Sequence, residues 1–392
     1  MARKFGKKNH VNLNPLAYNI CLLGEAKVGK TTLIKNVCEK LVGEDGYIFL
    51  EFDKEHGADA IEGIMYENVL QWQPVDEDEN GNKVIDDIIV DGIGFEEIIE
   101  DIIENKTTDY KDLKVVIWDT YDQIIPLAEA EAIRLWNKEV PADKRANSIN
   151  GAWGGFGKGE KKAIELMFDA MERLRRVGVQ TIVLGHVKTK DVTDVVTGET
   201  YQTLTSDQQN NYFNALKKNL HFLGLAYIDR TIVKEKTGKK NIVTKKEEIV
   251  SKVKQEVRKI KFRDDNFCVD SGSRFADIVP EINLDADEFI EALTSAIKSE
   301  QLKSGKSFEE AKAEQDKALV EREKNIAEAE EKLRSAKEVK VVIDKITNFI
   351  TENKTDMTRI KPILNKCKEL GYSNPTEITN LEDAIAVAEI AI

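Results

Sequence analysis

The feature that most constrains the fold is a glycine-rich segment between an apolar run at residues 18–23 and a helical pattern at 31–42. It reads Gly24-Glu25-Ala26-Lys27-Val28-Gly29-Lys30-Thr31. Glycines let a backbone wrap closely around a phosphate, and consecutive amides at a helix N-terminus present partial positive charge to it. The pattern predicts a strand, a phosphate-binding loop and a helix in succession.

Three more apolar, β-rich runs follow, at residues 47–52, 115–118 and 181–184. Helical patterns lie between them, at 95–103, 122–139 and 160–177. Strands that alternate with helices build a parallel sheet covered by helices on both faces. The sequence therefore predicts an α/β fold with a mainly parallel central sheet flanked by helices.

The glycine-rich segment matches the P-loop motif G-x-x-x-x-G-K-[ST] in its required strand–loop–helix setting. Its lysine, Lys30, is expected to reach the β- and γ-phosphates of a nucleotide, and the Thr31 hydroxyl to ligate magnesium. A chance glycine–lysine turn is disfavoured by this setting. The predicted cofactors are ATP and Mg²⁺, and the predicted nucleotide-binding residues are Gly24, Glu25, Ala26, Lys27, Val28, Gly29, Lys30, Thr31 and Thr32.

A second magnesium ligand is expected at the end of another strand. The run at 115–118 ends in Asp119, which predicts a carboxylate at the same sheet edge as the phosphate loop. The alternative for Asp119 is a helix-capping aspartate. The metal ligands predicted from the sequence are thus Thr31 and Asp119.

Residues 49–56, Phe-Leu-Glu-Phe-Asp-Lys-Glu-His, resemble the RecA strand that ends in a Glu-His pair. By that resemblance Glu55 is the general base that polarises the attacking water; the alternative is a surface glutamate that opens a helix. RecA-like proteins place a γ-phosphate sensor, usually glutamine, where residues 183–186 carry His186. The alternative for His186 is a histidine satisfied by backbone groups.

The resemblance covers roughly residues 18–279 and is closest to the compact phage RecA-like ATPases that include single-strand annealing recombinases. It implies a RecA-like P-loop core, with single-stranded DNA held in loops after the magnesium and sensor strands. The aromatic residues could stack on bases, and the lysines could meet phosphates. The DNA-binding candidates are Trp153, Phe156, Lys158, Lys188, Tyr201, Lys239 and Lys240. The alternative for the first loop is that its aromatics dock on the core.

A stretch of alternating residues at 231–262 predicts short strands joined by a turn at 237–239, and the core is expected to close at 269–278. This stretch is locally basic, which favours contact with a polyanion over the alternative of a solvated face. Its basic residues are Lys234, Lys236, Lys239, Lys240, Lys245, Lys246, Lys252, Lys254, Arg258, Lys259, Lys261 and Arg263. In RecA-like assemblies a basic residue reaches the γ-phosphate of a neighbouring subunit, and one of the last four could do so. This implies a homo-oligomeric ring or filament.

Four segments are predicted: a basic N-terminal arm at 1–16, the ATPase core at 17–298, a charged helix or short coiled coil at 299–340, and a small helical segment at 341–392. Leu319, Ile326 and Leu333 recur at heptad spacing, which suits a coiled coil or a lone amphipathic helix equally. Residues 371–375 are expected to break the last segment.

The formal charge of −13 argues against a protein that coats nucleic acid by bulk charge. Cys21, Cys38, Cys268 and Cys367 lack metal-ligand spacing and are typical of buried thiols in a reducing compartment. Without an apolar run long enough for a signal peptide or a membrane span, the chain is expected to be cytoplasmic, in the host cytoplasm if phage-encoded, with no membrane partner.

Three functional hypotheses follow. The first is an ATPase that acts on single-stranded DNA in recombination, annealing or replication. The second is a helicase-loader or motor ATPase whose helical tail docks on a replication or recombination protein. The third is a nucleotide-gated interaction module in which hydrolysis is vestigial.

Overall fold

The computed structural model describes residues 10–52, 57–79, 81–86, 88–193, 198–240, 247–263, 271–305, 307–354 and 356–391, without the side chains of 232–252, 333 and 391. The chain divides into two compact units. The first comprises Met1–Glu100 and Asp112–Asp316, and the second comprises Asp101–Lys111 and Lys317–Ile392.

The strands of the first unit are β1 (Ile20–Gly24), β2 (Tyr47–Phe52), β3 (Tyr66–Gln71), β4 (Asp76–Glu77), β5 (Lys83–Ile85), β6 (Ile88–Ile89), β7 (Ile93–Gly94), β8 (Val115–Asp119), β9 (Gln180–Thr193), β10 (Thr200–Ser206), β11 (Phe222–Lys240), β12 (Glu247–Lys261), β13 (Gly272–Ser273) and β14 (Glu281–Asn283). The helices of the chain are α1 (Lys30–Val42), α2 (Phe95–Glu104), α3 (Tyr121–Glu139), α4 (Lys158–Arg176), α5 (Asn210–Asn219), α6 (Ala286–Leu302), α7 (Phe308–Glu352), α8 (Met357–Glu369) and α9 (Leu381–Ala391).

The main sheet has the strand order β14-β12-β11-β1-β9-β8-β2-β3-β7. Its strands pair in parallel from β11 across to β7, whereas β12 and β14 add antiparallel strands at one side. This mainly parallel sheet with flanking helices confirms the predicted fold class.

The apolar runs predicted as strands form the middle of the sheet. All five residues of β1 and all five of β8 are buried, as expected for strands covered on both faces. Helices α1 and α6 contribute Ile34, Val37, Phe289 and Leu293 to the core against one face. Because β1, β8 and β9 are parallel, the carboxyl ends of β1 and β8 lie at one edge of the sheet, and β9 passes the end of β1 at His186.

Two expectations about the segment after residue 230 are wrong. The strands there are long, and β11 runs through Gly238 to Lys240, so residues 237–239 are not the turn. The pairing with β12 shifts register between Lys236 and Lys240, and a glycine within a strand commonly marks such an irregularity. The link at 241–246 lies outside the described residues, as does the first part of the expected closing segment at 269–278.

The sequence predicts no strand or helix between β2 and α2, whereas the structure has five strands there among the described residues. This region contains β3 and β7, which extend the main sheet, and a small antiparallel sheet of β4, β5 and β6. Strands β4 to β7 have only two or three residues each, and the apolar residues of β3 do not alternate regularly, so periodicity gives little signal.

The second unit is helical and has its own core. Ile346 of α7 is buried with Ile363 and Cys367 of α8 and Val387 of α9. The expected break at 371–375 is confirmed between α8 and α9. Helix α7 is continuous across residue 340, while the segment boundaries at 298/299 and 340/341 stay predictions.

Among the helices of the described residues, none combines the length and the apolar character that crossing a bilayer requires.

Candidate nucleotide site

The loop between β1 and α1 has the backbone that its glycines permit. Gly29 precedes α1 with φ of 105°, a left-handed conformation that costs glycine little. A Cβ at Gly24 would lie 2.8 Å from the carbonyl oxygen of Ala226, so a side chain there would collide with β11. The sequence therefore folds this segment into a tight loop that leads straight into a helix N-terminus, where an anion is favoured.

Lys30 is the first residue of α1, and its side chain is buried. Its ammonium donates hydrogen bonds to the carbonyl oxygens of Gly24 and Glu25, both at 3.2 Å. The cation is thus held at the loop itself. The ammonium thus lies at a helix N-terminus, where an anion is favoured, so the loop is suited to take a phosphate against Lys30.

Thr31 and Asp119 meet at the carboxyl edge of the sheet. The Thr31 hydroxyl donates to the Asp119 carboxylate at 2.7 Å, although the residues are 88 positions apart in the chain. Within the described residues, no three His, Cys, Asp or Glu side chains cluster as a metal cage. Mg²⁺ in phosphate-transfer sites takes one or two carboxylates together with substrate phosphates, so this hydroxyl–carboxylate pair fits that ion.

Glu51 is a buried carboxylate that the sequence reasoning missed. It lies directly beside Asp119 in the pairing of β2 with β8. The Ala58 amide donates to Glu51 Oε1 at 2.6 Å, and a Cβ on Gly57 would lie 3.4 Å from Oε1 and 3.8 Å from Thr31 Oγ1. The sequence feature that could have indicated Glu51 is that it is the single acidic residue within the apolar run 47–52. Glu51 therefore anchors Gly57 and Ala58 beside Thr31.

The predicted general base, Glu55, lies at 53–56, outside the described residues, and its role stays a prediction. The structure describes the residues on either side of this stretch, Phe52 and Gly57. Phe52 ends β2, and Gly57 lies beside Thr31 and Glu51.

His186 lies at this edge next to Gly24 in the pairing of β9 with β1. Asp122, in the first turn of α3, accepts the His186 amide at 2.9 Å and lies 2.7 Å from its Nδ1. The other Asp122 oxygen accepts from Gln208 at 2.6 Å. Burial raises the pKa of the nearby Cys21 thiol, and the negative charge of Asp122 raises it further. Asp122 thus joins α3, β9 and the segment after β10.

Trp153 and Phe156, the two aromatic residues of the loop before α4 that could stack on DNA bases, have different surroundings. The Trp153 indole donates to the Ala132 carbonyl at 2.9 Å and packs against Trp136 with ring centroids 5.7 Å apart, so it docks on the core. Phe156 is fully exposed, with φ of 55°. Lys158 follows as the exposed first residue of α4.

The remaining DNA-binding candidates lie on two hairpins. β9 and β10 form an antiparallel hairpin in which Tyr201 pairs with Val192. Lys188, on β9, donates to the Asp207 carbonyl at 2.7 Å and forms an ion pair with that residue's carboxylate at 3.4 Å. Lys239 and Lys240 lie in β11, and their side chains are outside the description.

The four basic residues at the end of β12 have different surroundings. Lys259 pairs with Asp229 at 3.0 Å and Glu281 at 2.9 Å, and Lys261 lies over the Tyr227 ring at 5.5 Å. Arg263 donates to the Ala276 carbonyl at 2.7 Å. Arg258 differs, because its Nη1 lies 3.5 Å from the position of a Cβ on Gly29, next to the phosphate loop of its own chain.

The sheet, the phosphate loop and the joined Thr31 and Asp119 side chains define a P-loop NTPase domain. The model of the AAA domain family AAA_24 matches residues 16–254, more than half of the chain, and the protein belongs to this family.

No curated protein matches the chain. Among solved structures, a KaiC-like protein from the hyperthermophilic archaeon Pyrococcus horikoshii OT3 is similar at 14% identity, over 62% of this chain and 85% of that chain, with a TM-score of 0.28.

Proposed function

We propose that this protein binds ATP with Mg²⁺, hydrolyses it, and acts on single-stranded DNA. The observation that carries the nucleotide chemistry is the hydrogen bond of 2.7 Å between Thr31 and Asp119, beside the loop that holds Lys30. These three side chains would hold the magnesium and the β- and γ-phosphates. Bound magnesium would supply neutralisation of phosphate charge.

Hydrolysis also needs a group that orients and deprotonates water. Glu55 is proposed for this role, because residues 49–56 resemble the RecA strand that ends in a Glu-His pair. His186 is proposed as the group that senses the γ-phosphate, held by Asp122 at its Nδ1.

The DNA proposal is supported by groups on two parts of the first unit. Exposed Phe156 could stack on a base, and Lys158 could meet a phosphate. The basic stretch 234–263 gives local positive charge in a chain of net charge −13. Assembly as a ring or filament would place several such surfaces along one strand.

An ATPase assay with and without single-stranded DNA tests this proposal. We expect DNA to stimulate turnover, and we expect DNA affinity to fall steeply with salt because phosphate contacts release counterions. Phe156→Ala should weaken DNA binding by about 1–3 kcal/mol, the range for loss of one stacking partner, while basal turnover is kept. Turnover indifferent to DNA, together with no salt-sensitive binding, would contradict the proposal.

A second candidate function is action on a protein partner through the C-terminal helices. It is favoured by the separate core of the second unit, built on Ile346, Ile363 and Val387. Deletion of residues 317–392 tests it. Loss of binding to a replication or recombination protein with DNA binding retained would support this candidate, and unchanged partner binding would contradict it.

A further inference from the structure

A cavity opens beside the phosphate loop, on the side of α1. It has a volume of about 520 Å³ and is lined by Gly29, Thr32, Leu33, Asn36, Glu39, Lys40, Arg258, Leu284, Asp285 and Ala286. This volume is within the usual range for pockets that take small molecules and cofactors. Because Gly29 and Thr32 belong to the predicted nucleotide-binding segment, the cavity is continuous with the place proposed for the phosphates.

One wall of the cavity is a single face of α1. Residues Thr32, Asn36 and Lys40 lie on it at intervals of four, so they line up along the helix. At 1.5 Å per residue, the distance from Thr32 to Lys40 is about 12 Å. The cavity is therefore an elongated groove that starts at the phosphate loop and leads away from it.

The opposite wall combines an apolar and a cationic side chain. A Cβ on Gly29 would lie 3.2 Å from Leu284 Cδ2 and 3.5 Å from Arg258 Nη1, so both groups sit where the groove meets the loop. The Arg258 carbonyl accepts the Leu284 amide at 2.9 Å, which ties the two residues together. A planar guanidinium can stack on an aromatic ring as well as pair with an anion.

The charges at the far end of the groove are engaged with neighbours. Lys40 pairs with Asp287 at 2.6 Å, and Glu39 pairs with Lys35 at 2.6 Å. Of the two cations that line the groove, only Arg258 lies at the end next to Gly29. The groove thus offers an apolar wall, a stacking cation and the Asn36 amide, the groups that recognise a planar heterocycle carrying donors and acceptors.

We infer that this groove is the subsite for the nucleoside half of the nucleotide, and that Arg258 acts on the nucleoside bound to its own chain. The inference rests on the proposed nucleotide binding and extends it to a specificity-determining residue. It also leaves Lys259, Lys261 and Arg263, without Arg258, as the candidates for reaching a neighbouring subunit.

Two probes distinguish the phosphate site from the groove: ATP, and inorganic tripolyphosphate, which has no nucleoside. Both are titrated calorimetrically, with Mg²⁺, into the full-length protein and its variants. We expect Arg258→Ala to weaken ATP binding about tenfold and tripolyphosphate binding less than about twofold. Arg258→Lys should show most of the same loss, because lysine keeps the charge but not the planar group.

Leu284→Trp is a second variant that fills the groove, and it should weaken ATP binding without weakening tripolyphosphate binding. Arg176→Ala, a change to an exposed arginine on α4, is the matched control and should bind both ligands as the wild type does. Equal losses for both ligands in Arg258→Ala would overturn the inference by making Arg258 a phosphate ligand. Wild-type ATP affinity in both groove variants would also overturn it. Wild-type protein that binds neither ligand would instead contradict the proposed function.

Discussion

At the scale of single residues, the site depends on a few polar groups fixed by different elements. Lys30 comes from the start of α1, Asp119 from the end of β8, and Glu51 from within β2. Each is buried, so each depends on its partners for compensation. Changes that keep shape but remove one polar group therefore test the roles most cleanly.

Thr31→Val removes the hydroxyl that meets Asp119 at 2.7 Å and keeps the volume of the side chain. We expect magnesium-dependent ATP turnover to fall at least about a hundredfold, since metal-assisted charge stabilisation is worth several kcal/mol. Thr31→Ser, which keeps the hydroxyl, should retain most of the activity. Equal activity in the two variants would contradict the metal role of Thr31.

Glu51→Gln tests the carboxylate found only in the structure. It replaces a charged acceptor of the Ala58 amide with a neutral one and removes negative charge beside Asp119. We expect about tenfold more Mg²⁺ to be needed for half-maximal ATP binding, measured by titration of the metal. Glu44→Gln, a change at an exposed position before β2, should leave the metal requirement unchanged. An unaltered requirement in Glu51→Gln would limit Glu51 to a structural role.

These residues also show what a sequence can reveal about the site. Lys30, Thr31 and Asp119 were predictable because each belongs to a local pattern, a loop motif or an apolar run that ends in an acid. Glu51 lies beside Asp119 through the pairing of β2 with β8, and Arg258 lies beside Gly29 through the path of β12. Such contacts depend on strand order, which no local pattern encodes.

At the scale of secondary-structure elements, Asp122 connects the start of α3 with β9 and with the segment after β10. It accepts from the His186 amide, lies at hydrogen-bond distance from the His186 ring, and accepts from Gln208. The β9–β10 hairpin, a proposed DNA contact, is therefore tied at its base to the edge that carries Asp119.

Asp122→Asn should destabilise the first unit. The asparagine side chain replaces one carboxylate oxygen with an amide nitrogen, which would face an N–H group that now donates to Asp122. Hydrogen bonds to charged groups contribute about 1.5–3 kcal/mol each, so we expect the free energy of unfolding to fall by about 3 kcal/mol. Urea denaturation measures this change. Asp143→Asn, at an exposed position, should change stability by less than about 0.5 kcal/mol. A similarly small change in Asp122→Asn would show that Asp122 does not hold α3, β9 and the segment after β10 together.

The elements themselves were largely predictable where their patterns were long. The run 47–52 coincides with β2, and the helical pattern 95–103 differs from α2 by one residue. The turn at 237–239 was misplaced because a glycine in a bulged strand has the same local signature as a glycine in a turn. In such a stretch, pairing with the neighbouring strand decides the structure.

At the scale of the whole molecule, the two compact units have separate cores. Ile363 is completely buried in the core of the second unit. Ile363→Ala should reduce the stability of that unit by about 2–5 kcal/mol while ATP affinity is unchanged. Amide hydrogen exchange of α8 measures the stability of the second unit, and that of β1 measures the stability of the first. Equal loss of protection in both would contradict their separate cores.

The most direct test of the nucleotide site is calorimetric titration of ATP into the wild type and Lys30→Ala, with and without Mg²⁺. We expect magnesium-dependent binding by the wild type and at least tenfold weaker binding by Lys30→Ala, because the lysine is proposed to contact the β- and γ-phosphates. Lys361→Ala, at an exposed position on α8, should bind as the wild type does. Equal ATP affinity in the wild type and Lys30→Ala, or binding indifferent to Mg²⁺, would contradict the proposed nucleotide site.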